Sequence, residues 1–336
     1  MKAVAFTHAR PITEFDALED FDLPMPEPRH HDLLVEVKAV SVNPVDVKLR
    51  QGSEPLGERR VLGFDAAGEV RAIGPEVQNF SVGDEVFYAG VSTRPGTNAE
   101  YHLVDDRIAG HKPKTLGFAE AAALPLTALT AWEMLFDRFK IPRDQAAGGH
   151  LLIVGGAGGV GSMAIQLAAQ LTDLTIIATA SRPETSDWCR AMGAHHVLNH
   201  HHDLAEQFSG FNLPAPEYIF CVAHERQHFK KLTQLLAPEG AIGIIEGNSG
   251  QMDISALFQK SATLHTEAVF SRGILKTANI SAQHRTLEAI SHLVDNGTLK
   301  STMTAHYGKI NAANLKRAHA AIEAGSACGK IVLEGF

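Results

Sequence analysis

The chain has 336 residues, of which 45% are hydrophobic and 20% are charged, a profile typical of a soluble globular protein of about two domains. The formal net charge is −8 at pH 7, which argues against nucleic acid or an anionic membrane as a partner. The three cysteines predict reduced thiols rather than a disulfide framework. Because neither a signal peptide nor a long apolar run is recognisable, we expect a cytoplasmic protein.

The N-terminal part of the chain has the pattern of strands and turns. Alternating residues rich in β-branched side chains predict strands, and glycines inside such a run predict bends. The predicted strands cover residues 33–42, the bent stretch 61–73, 85–88 and 99–104.

From Pro125 onward, helices alternate with short apolar strands. Six strands in succession predict a parallel, doubly wound sheet with helices on both faces. The predicted strands are 151–154, 175–179, 196–198, 217–222, 241–246 and 264–270, and the predicted helices are 127–136, 162–171, 184–192 and 225–236. After these, the sequence predicts helices over 283–296 and 311–324 and a last strand over 331–333.

A glycine-rich turn follows the first of the six strands. Gly156, Gly158 and Gly161 form the GxGxxG pattern between a strand and a helix, which is the context that a dinucleotide site requires. The first glycine permits a tight turn, the second lets the backbone approach the pyrophosphate, and the third lets the helix pack on the strand. We therefore predict that Gly158, Gly159 and Val160 contact the pyrophosphate at the helix N-terminus.

The residues after the second strand of this sheet predict which dinucleotide binds. An NAD site usually has an acidic residue there, whereas this chain has Ser181 and Arg182, which can bind a 2′-phosphate. The sequence thus favours NADPH, with Glu184 nearby as the contrary feature. Because ligands of such sheets lie beyond the strand ends, we also expect cofactor contacts from Cys221, Val222, Ile245, Phe270 and Arg272.

Several segments together resemble the medium-chain dehydrogenase/reductase superfamily and, within it, the quinone oxidoreductase-like branch. They begin with SVNPVDVK, GFDAAG and VGDEV, continue with AAALPLTALTAW and the glycine turn, and end with MGA and GKIVL. The resemblance implies an α/β fold in which a Rossmann domain is inserted into a GroES-like β-rich catalytic domain. The implied ranges are a catalytic domain over 1–126, an NADP-binding domain over 127–271 and a returning segment over 272–336. It also implies a homodimer and an active site in a cleft between the domains.

The zinc-ligand positions of zinc-dependent members of this superfamily are changed in this chain. Asn43 takes the place of a ligand cysteine, and Gly63-Phe64-Asp65 resembles the Gly-His-Glu motif. A zinc site normally needs three ligands of Cys, His or carboxylate type, so we do not expect zinc, although Asp46 and Asp65 leave a carboxylate site open. The histidines at 195, 196 and 200–202 are interpreted as a polar surface loop, with adventitious metal binding as the alternative.

Without zinc, the sequence favours a substrate that is already electrophilic, such as a quinone or an α,β-unsaturated carbonyl. The resemblance makes Asn43 the first candidate catalytic residue, followed by Asp46 and Lys48, for which a local ion pair is the alternative. It also implies that Thr127 lies near the nicotinamide. Phe64 and Trp132 are candidate substrate-lining residues, with ordinary core packing as the alternative.

The leading hypothesis is therefore an NADPH-dependent quinone or enone reductase that acts on a small molecule. A zinc-dependent alcohol dehydrogenase or aldehyde reductase is one alternative. A protein that binds NADPH as a sensor or structural component, without catalysis, is the other, because a fold alone does not fix a function.

Overall fold

The computed structural model describes residues 1–52, 54–55, 57–143, 148–246 and 251–336. The chain divides into two compact units. The split unit comprises Met1–Leu129 and Phe270–Phe336, and the central unit comprises Thr130–Val269. The domain ranges expected from the resemblance, 1–126, 127–271 and 272–336, stay a prediction beside this geometric division.

The described residues form sixteen strands. In chain order they are β1 Lys2–Phe6, β2 Glu19–Asp22, β3 Asp32–Val42, β4 Arg60–Val61, β5 Asp65–Ile73, β6 Glu85–Ala89, β7 Tyr101–Asp105, β8 Ala109–His111, β9 His150–Val154, β10 Thr175–Thr179, β11 His196–Leu198, β12 Tyr218–Cys221, β13 Ala241–Ile244, β14 Thr263–Thr266, β15 Met303–His306 and β16 Lys330–Glu334.

The described residues also form eleven α-helices. They are α1 Pro44–Gly52, α2 Phe118–Ala122, α3 Pro125–Trp132, α4 Gly159–Leu171, α5 Pro183–Met192, α6 Leu204–Gly210, α7 Glu225–Leu235, α8 Ser255–Gln259, α9 Ser271–Leu275, α10 Ala282–Asp295 and α11 Ala312–Glu323. A π-helical segment, Glu133–Arg138, continues α3. Within the described ranges, no helix is long and apolar enough to cross a membrane.

The central unit contains a six-stranded parallel sheet in the order β11-β10-β9-β12-β13-β14. This is the doubly wound order of a dinucleotide-binding fold. The middle strand β9 consists of His150 followed by Leu151, Leu152, Ile153 and Val154, and these four apolar side chains are buried. Burial on both faces explains why the strand is continuously apolar instead of alternating. The predicted α/β class with a Rossmann sheet is confirmed.

The split unit is built on a seven-stranded sheet in the order β15-β16-β3-β5-β6-β8, with β7 also paired to β3. Strand β16 pairs antiparallel with the end of β3, with Ile331 opposite Val42. The last strand of the chain therefore lies beside the beginning of α1, although the two are far apart in sequence. A core of buried aliphatic and aromatic residues fills this unit.

Two of the differences from the sequence-based prediction concern residues named as site candidates. Residues 44–52 form the helix α1, over which we predicted neither a helix nor a strand. Pro44 occupies the first helical position, which suits its fixed φ, and the Asp46 carboxylate accepts the Asn43 N–H at 2.7 Å, as in a capping box. The sixth strand of the sheet ends at Thr266 and does not reach residue 270.

Candidate active site

The glycine-rich turn joins β9 to α4 at the carboxyl edge of the central sheet. Gly155 has a φ of 86°, and its N–H donates to the Thr179 hydroxyl at 3.0 Å. A Cβ on Gly161 would lie 2.3 Å from the Gly155 carbonyl oxygen, and one on Gly156 would lie 2.8 Å from the Ala178 methyl group. The tight turn that we assigned to Gly156 thus belongs to Gly155, while Gly156 and Gly161 permit close packing.

Open space lies beside the second glycine of the pattern. A Cβ on Gly158 would meet no atom closer than 3.6 Å, and its φ of −75° is accessible to any residue. Packing inside the protein therefore does not require a glycine at position 158. The open space beside Gly158 is suited to a ligand that approaches the backbone. The N–H groups of Gly159, Val160 and Gly161 lie in the first turn of α4, where helices commonly bind phosphate.

The residues predicted for the 2′-phosphate follow β10 directly. Arg182 caps α5 and its Nε donates to Glu184 Oε1 at 2.8 Å. Its side chain is 40% exposed and that of Glu184 is 67% exposed. An exposed ion pair of this kind contributes little stability.

Two further strand ends carry the predicted contacts Cys221, Val222 and Ile245. Burial raises the pKa of the Cys221 thiol to about 12, which makes it a neutral, unreactive group. The fully buried Glu225 carboxylate accepts the Ile245 N–H at 2.5 Å and the Glu246 N–H at 2.7 Å. This carboxylate, which we did not predict, fixes the chain where it leaves β13.

In the split unit, the Asp65 carboxylate is the centre of a buried polar network. Its Oδ2 accepts the Ser41 hydroxyl at 2.9 Å and the Asn43 amide Nδ2 at 2.8 Å. Its Oδ1 accepts the backbone N–H of Leu126 at 2.7 Å. Asp65 is 0% exposed and Asn43 is 1% exposed. Donors on both oxygens hold this carboxylate in one orientation.

Lys330 supplies the positive charge in this network. Its ammonium is buried and donates to Asp65 Oδ2 at 3.0 Å, to the Val42 carbonyl at 3.0 Å and to Asn43 Oδ1. An ammonium has three donors, and here each one has an acceptor. We did not predict Lys330 as a site residue. The signals in the sequence were its place in the GKIVL segment of the family resemblance and its position directly before the apolar strand 331–333.

Asp46 and Lys48 point in different directions from α1. Asp46 is buried, and its two oxygens accept the backbone N–H groups of Asn43 at 2.7 Å and Gly63 at 3.0 Å. Burial raises the pKa of Asp46 to about 7. Asp46 therefore holds the backbone on either side of the network, whereas Lys48 is exposed. Their catalytic roles stay a prediction.

The remaining predicted residues of the split unit lie on helix ends and in the core. Thr127 is buried in α3, and its hydroxyl donates to the Leu124 carbonyl at 3.0 Å, which leaves the oxygen able to accept a hydrogen bond. The rings of Phe64 and Phe270 pack with centroids 4.9 Å apart. Phe270 and Arg272 lie at the start of α9, so our placement of them at the end of the sixth strand is wrong.

Trp132, the second predicted substrate-lining residue, is at the start of the central unit. It is 8% exposed and packs against Phe136, with ring centroids 5.0 Å apart. The Arg143 guanidinium lies 4.9 Å from its ring centroid. These contacts match the core-packing alternative, and a role beside a substrate stays a prediction.

A separate cavity of about 700 Å³ occurs in the split unit. Its lining includes Val91, Arg94, His102 and Gly273. Asn43, Asp65 and Lys330 are not among the lining residues, so the buried network does not open into it.

Comparison with known proteins agrees with this geometry. Residues 29–133 match the alcohol dehydrogenase GroES-like domain, and residues 159–283 match the zinc-binding dehydrogenase family. Over 335 residues, and 99% of both chains, the sequence is 42% identical to a zinc-type alcohol dehydrogenase-like protein of Staphylococcus aureus (strain MSSA476). The chain belongs to the medium-chain dehydrogenase/reductase superfamily.

Other members of the superfamily share parts of the sequence or the whole fold. An NADPH-dependent alkenal/one oxidoreductase of Arabidopsis thaliana is 38% identical over 182 residues, or 51% of this chain and 45% of that protein. A Rhizobium etli CFN 42 structure described as a zinc-dependent alcohol dehydrogenase protein has 51% identity, a TM-score of 0.96 and coverage of 100% and 98% of the two chains.

Two further solved structures share the fold of the whole chain. The quinone oxidoreductase of Coxiella burnetii shares 28% identity and a TM-score of 0.83, with 100% of this chain and 99% of that chain covered. Mycobacterial Rv1454c, solved in complex with NADPH, shares 25% identity and a TM-score of 0.83 over 99% of both chains.

This medium-chain dehydrogenase/reductase does not have the residues for a zinc ion at the expected position. Phe64 offers no donor atom, and Asn43 is bonded to both Asp65 and Lys330. Both Asp46 oxygens accept backbone N–H groups, and the Lys330 ammonium lies 3.0 Å from Asp65. Zinc sites need three converging ligands of Cys, His or carboxylate type, so these residues do not fit a zinc ion.

The histidine run of this superfamily member flanks β11 in the central unit: His195 precedes the strand, His196 begins it, and the histidines at 200–202 follow it. The ring of His200 packs on His201, with centroids 4.7 Å apart, and on His228, at 6.3 Å. Burial and the neighbouring imidazoles lower the pKa of His200 to about 4. Among the described residues, no group of three His, Cys, Asp or Glu side chains is arranged to hold a metal ion.

Proposed function

We propose that this protein is an NADPH-dependent reductase that transfers hydride to a quinone or an α,β-unsaturated carbonyl without zinc. The observation that carries the proposal is the buried network of Asn43, Asp65 and Lys330. It puts a fixed ammonium and amide where the resemblance to zinc-dependent members puts metal ligands. The Arabidopsis alkenal/one oxidoreductase and the Coxiella quinone oxidoreductase support the same substrate class.

For hydride transfer to a quinone or an enone, the main task of the protein is to position the substrate, because the substrate needs little activation. Hydride addition to a conjugated carbonyl or a quinone moves negative charge onto an oxygen, which a hydrogen-bond donor stabilises. Such acceptors are electrophilic before any Lewis acid polarises them. Asn43 remains our first candidate for holding that donor in position. Asp46 accepts a hydrogen bond from the Asn43 backbone, and Lys48 is the exposed cation on the helix that follows.

NADPH would be held by the carboxyl edge of the central sheet. We infer that Gly158, Gly159 and Val160 bind the pyrophosphate, and that Ser181 and Arg182 bind the 2′-phosphate. Contacts with the rest of the cofactor are expected from Thr127, Cys221, Val222, Ile245, Phe270 and Arg272. When bound, NADPH supplies the hydride.

The proposed assembly is a homodimer. Strand β14 is at one end of the six-stranded sheet, and an unpaired strand edge is a template for another chain. A sedimentation experiment on the purified protein measures its mass, and a monomer at micromolar concentration would contradict the dimer.

The decisive experiment is an NADPH-oxidation screen with 1,4-quinones, enals, enones and simple aldehydes, with metal content measured on the same sample. We expect turnover of quinones or enones by protein that contains less than about one-tenth of a zinc ion per chain. One tightly bound zinc per chain, with activity confined to alcohols and aldehydes, would favour the dehydrogenase alternative. NADPH binding without turnover of any substrate would favour a non-catalytic protein.

A further inference from the structure

We propose that Lys330 is a positioning residue. Its ammonium supplies a fixed positive charge where a metal ion would supply one in zinc-dependent members. Through its hydrogen bonds, this charge holds the Asn43 amide and the N-terminus of α3 in one arrangement. This inference rests on the proposed reductase function. It also makes a structural claim that can be tested when no substrate is turned over.

The hydrogen-bond chemistry of Lys330 and Asp65 permits only one orientation of the Asn43 amide. An ammonium only donates hydrogen bonds, and an ionised carboxylate only accepts them. Asn43 lies between the two, with Oδ1 accepting from Lys330 and Nδ2 donating to Asp65. A flipped amide would put donor against donor and acceptor against acceptor. Removal of the ammonium frees the amide to turn.

The same carboxylate transmits this order to α3. Asp65 Oδ1 accepts the Leu126 N–H at 2.7 Å, in the first turn of α3, where a negative charge is favourable to the helix dipole. Thr127 is the next residue. Lys330 therefore fixes, through Asp65, both our first catalytic candidate and the helix that carries a predicted nicotinamide contact.

A second buried carboxylate, Asp46, lies near the Lys330–Asp65 ion pair. Asp46 is affected by the positive charge of Lys330 and the negative charge of Asp65. Lys330 is the counter-ion of Asp65, with its ammonium 3.0 Å from Oδ2. Without it, the Asp65 charge is buried with no cation beside it, which is costly in a low-dielectric interior.

The test compares four variants of the full chain. Lys330→Met removes the ammonium at similar length, and Asp65→Asn removes the carboxylate charge. The double variant Lys330→Met with Asp65→Asn removes both charges and leaves no unpaired ion. Lys112→Met is the matched control, because Lys112 is also a buried lysine of the split unit and donates to the Pro113 and Leu116 carbonyls outside the network.

We expect the double variant to fold with a melting temperature close to that of the wild type, yet to lose about 100-fold in kcat, because misplacement of reacting groups has a cost of this size. The KM for NADPH should change by less than about threefold, since the glycine turn is untouched. The control should keep its kcat. A folded double variant with wild-type kcat, or an equal loss of kcat in the control, would overturn the proposal.

A second measurement does not depend on turnover. Hydrogen–deuterium exchange of the peptide that contains Leu126 should accelerate by about tenfold or more in the double variant and remain unchanged in Lys112→Met. Unchanged exchange in the double variant would refute the positioning role. If the wild type reduces none of the substrates but this exchange effect occurs, the proposed function fails and the role of Lys330 stands.

Discussion

The carboxylate of Asp65 accepts a hydrogen bond from the backbone N–H of Leu126, 61 residues further along the chain, at 2.7 Å. One buried side chain thus joins the start of β5 to the start of α3. Its other oxygen accepts a hydrogen bond from the Lys330 ammonium. The Asp65 carboxylate therefore connects the first residues of β5, α3 and β16. This relationship leads to the first prediction.

Asp65→Asn should strongly destabilise the protein, because it leaves the Lys330 ammonium buried without a counter-ion. Breaking a buried ion pair from one side costs about 3–5 kcal/mol. The free energy of unfolding, from urea denaturation, measures this loss. Adding Lys330→Met to Asp65→Asn should recover a large part of it, and a double variant as unstable as the single variant would contradict this explanation.

Arg182→Ala should weaken the binding of NADPH far more than that of NADH. Loss of one charge-assisted contact to the 2′-phosphate corresponds to about 10- to 100-fold in Kd. Isothermal titration with both dinucleotides gives the two constants. Arg190→Ala is the control, because Arg190 pairs with Asp187 on the same helix α5. Equal losses for NADPH and NADH would rule out the 2′-phosphate role.

Alanine substitutions at two glycines of the turn should separate cofactor binding from folding. A Cβ at Gly158 has no neighbour within 3.6 Å, whereas one at Gly161 would lie 2.3 Å from the Gly155 carbonyl. Gly158→Ala should therefore keep the melting temperature but weaken NADPH by about tenfold or more. Gly161→Ala should lower the melting temperature and also weaken NADPH binding, because overpacking costs about 1–3 kcal/mol. A Gly158→Ala protein that binds NADPH normally would place the pyrophosphate elsewhere.

His319 should make the protein less stable in mild acid. This residue of α11 is 0% exposed, and burial, with a smaller effect of Arg50, lowers its pKa from 6.5 to about 3. Between these values the unfolded chain binds a proton that the folded protein does not, so the free energy of unfolding decreases as the pH falls below 6.5. At pH 5 the loss from this group is about 2 kcal/mol.

The matching measurement is urea denaturation of the wild type and His319→Leu at pH 7.5 and pH 5. Between pH 7.5 and pH 5, the free energy of unfolding should decrease less in the variant than in the wild type. The two decreases should differ by about 2 kcal/mol. The exposed His292 of α10 provides the control substitution, His292→Leu, for which the difference should remain close to that of the wild type. If His319→Leu and the wild type lose the same stability, another group causes the acid sensitivity.

The central sheet could be predicted from the sequence because its signals are local. The strands predicted at 175–179 and 196–198 have those bounds in the structure, since each is a short apolar run next to a turn. No element was predicted over α1, because Val45 and Val47 are β-branched and alternate with polar residues, which is not a helical pattern. The capping carboxylate of Asp46 and the proline at the first helical position outweigh that pattern.

The candidate site was only partly predictable, because its decisive contacts join distant positions. Asn43 was recognised through its motif, but Lys330 binds groups that are 265 to 288 residues away in sequence. No local pattern indicates that a lysine before an apolar strand is buried beside a carboxylate. The same limit applies to Glu225, whose partners follow it by 20 and 21 residues.

The pairing of β16 with β3 also sets the time at which activity can arise during synthesis. The central unit is complete once residue 269 has been made, whereas the cation of the network is added some sixty residues later. A chain that terminates early, or loses its last strand to proteolysis, would contain an intact glycine turn but no Lys330. If the proposed function holds, we expect such fragments to bind the dinucleotide without oxidising it.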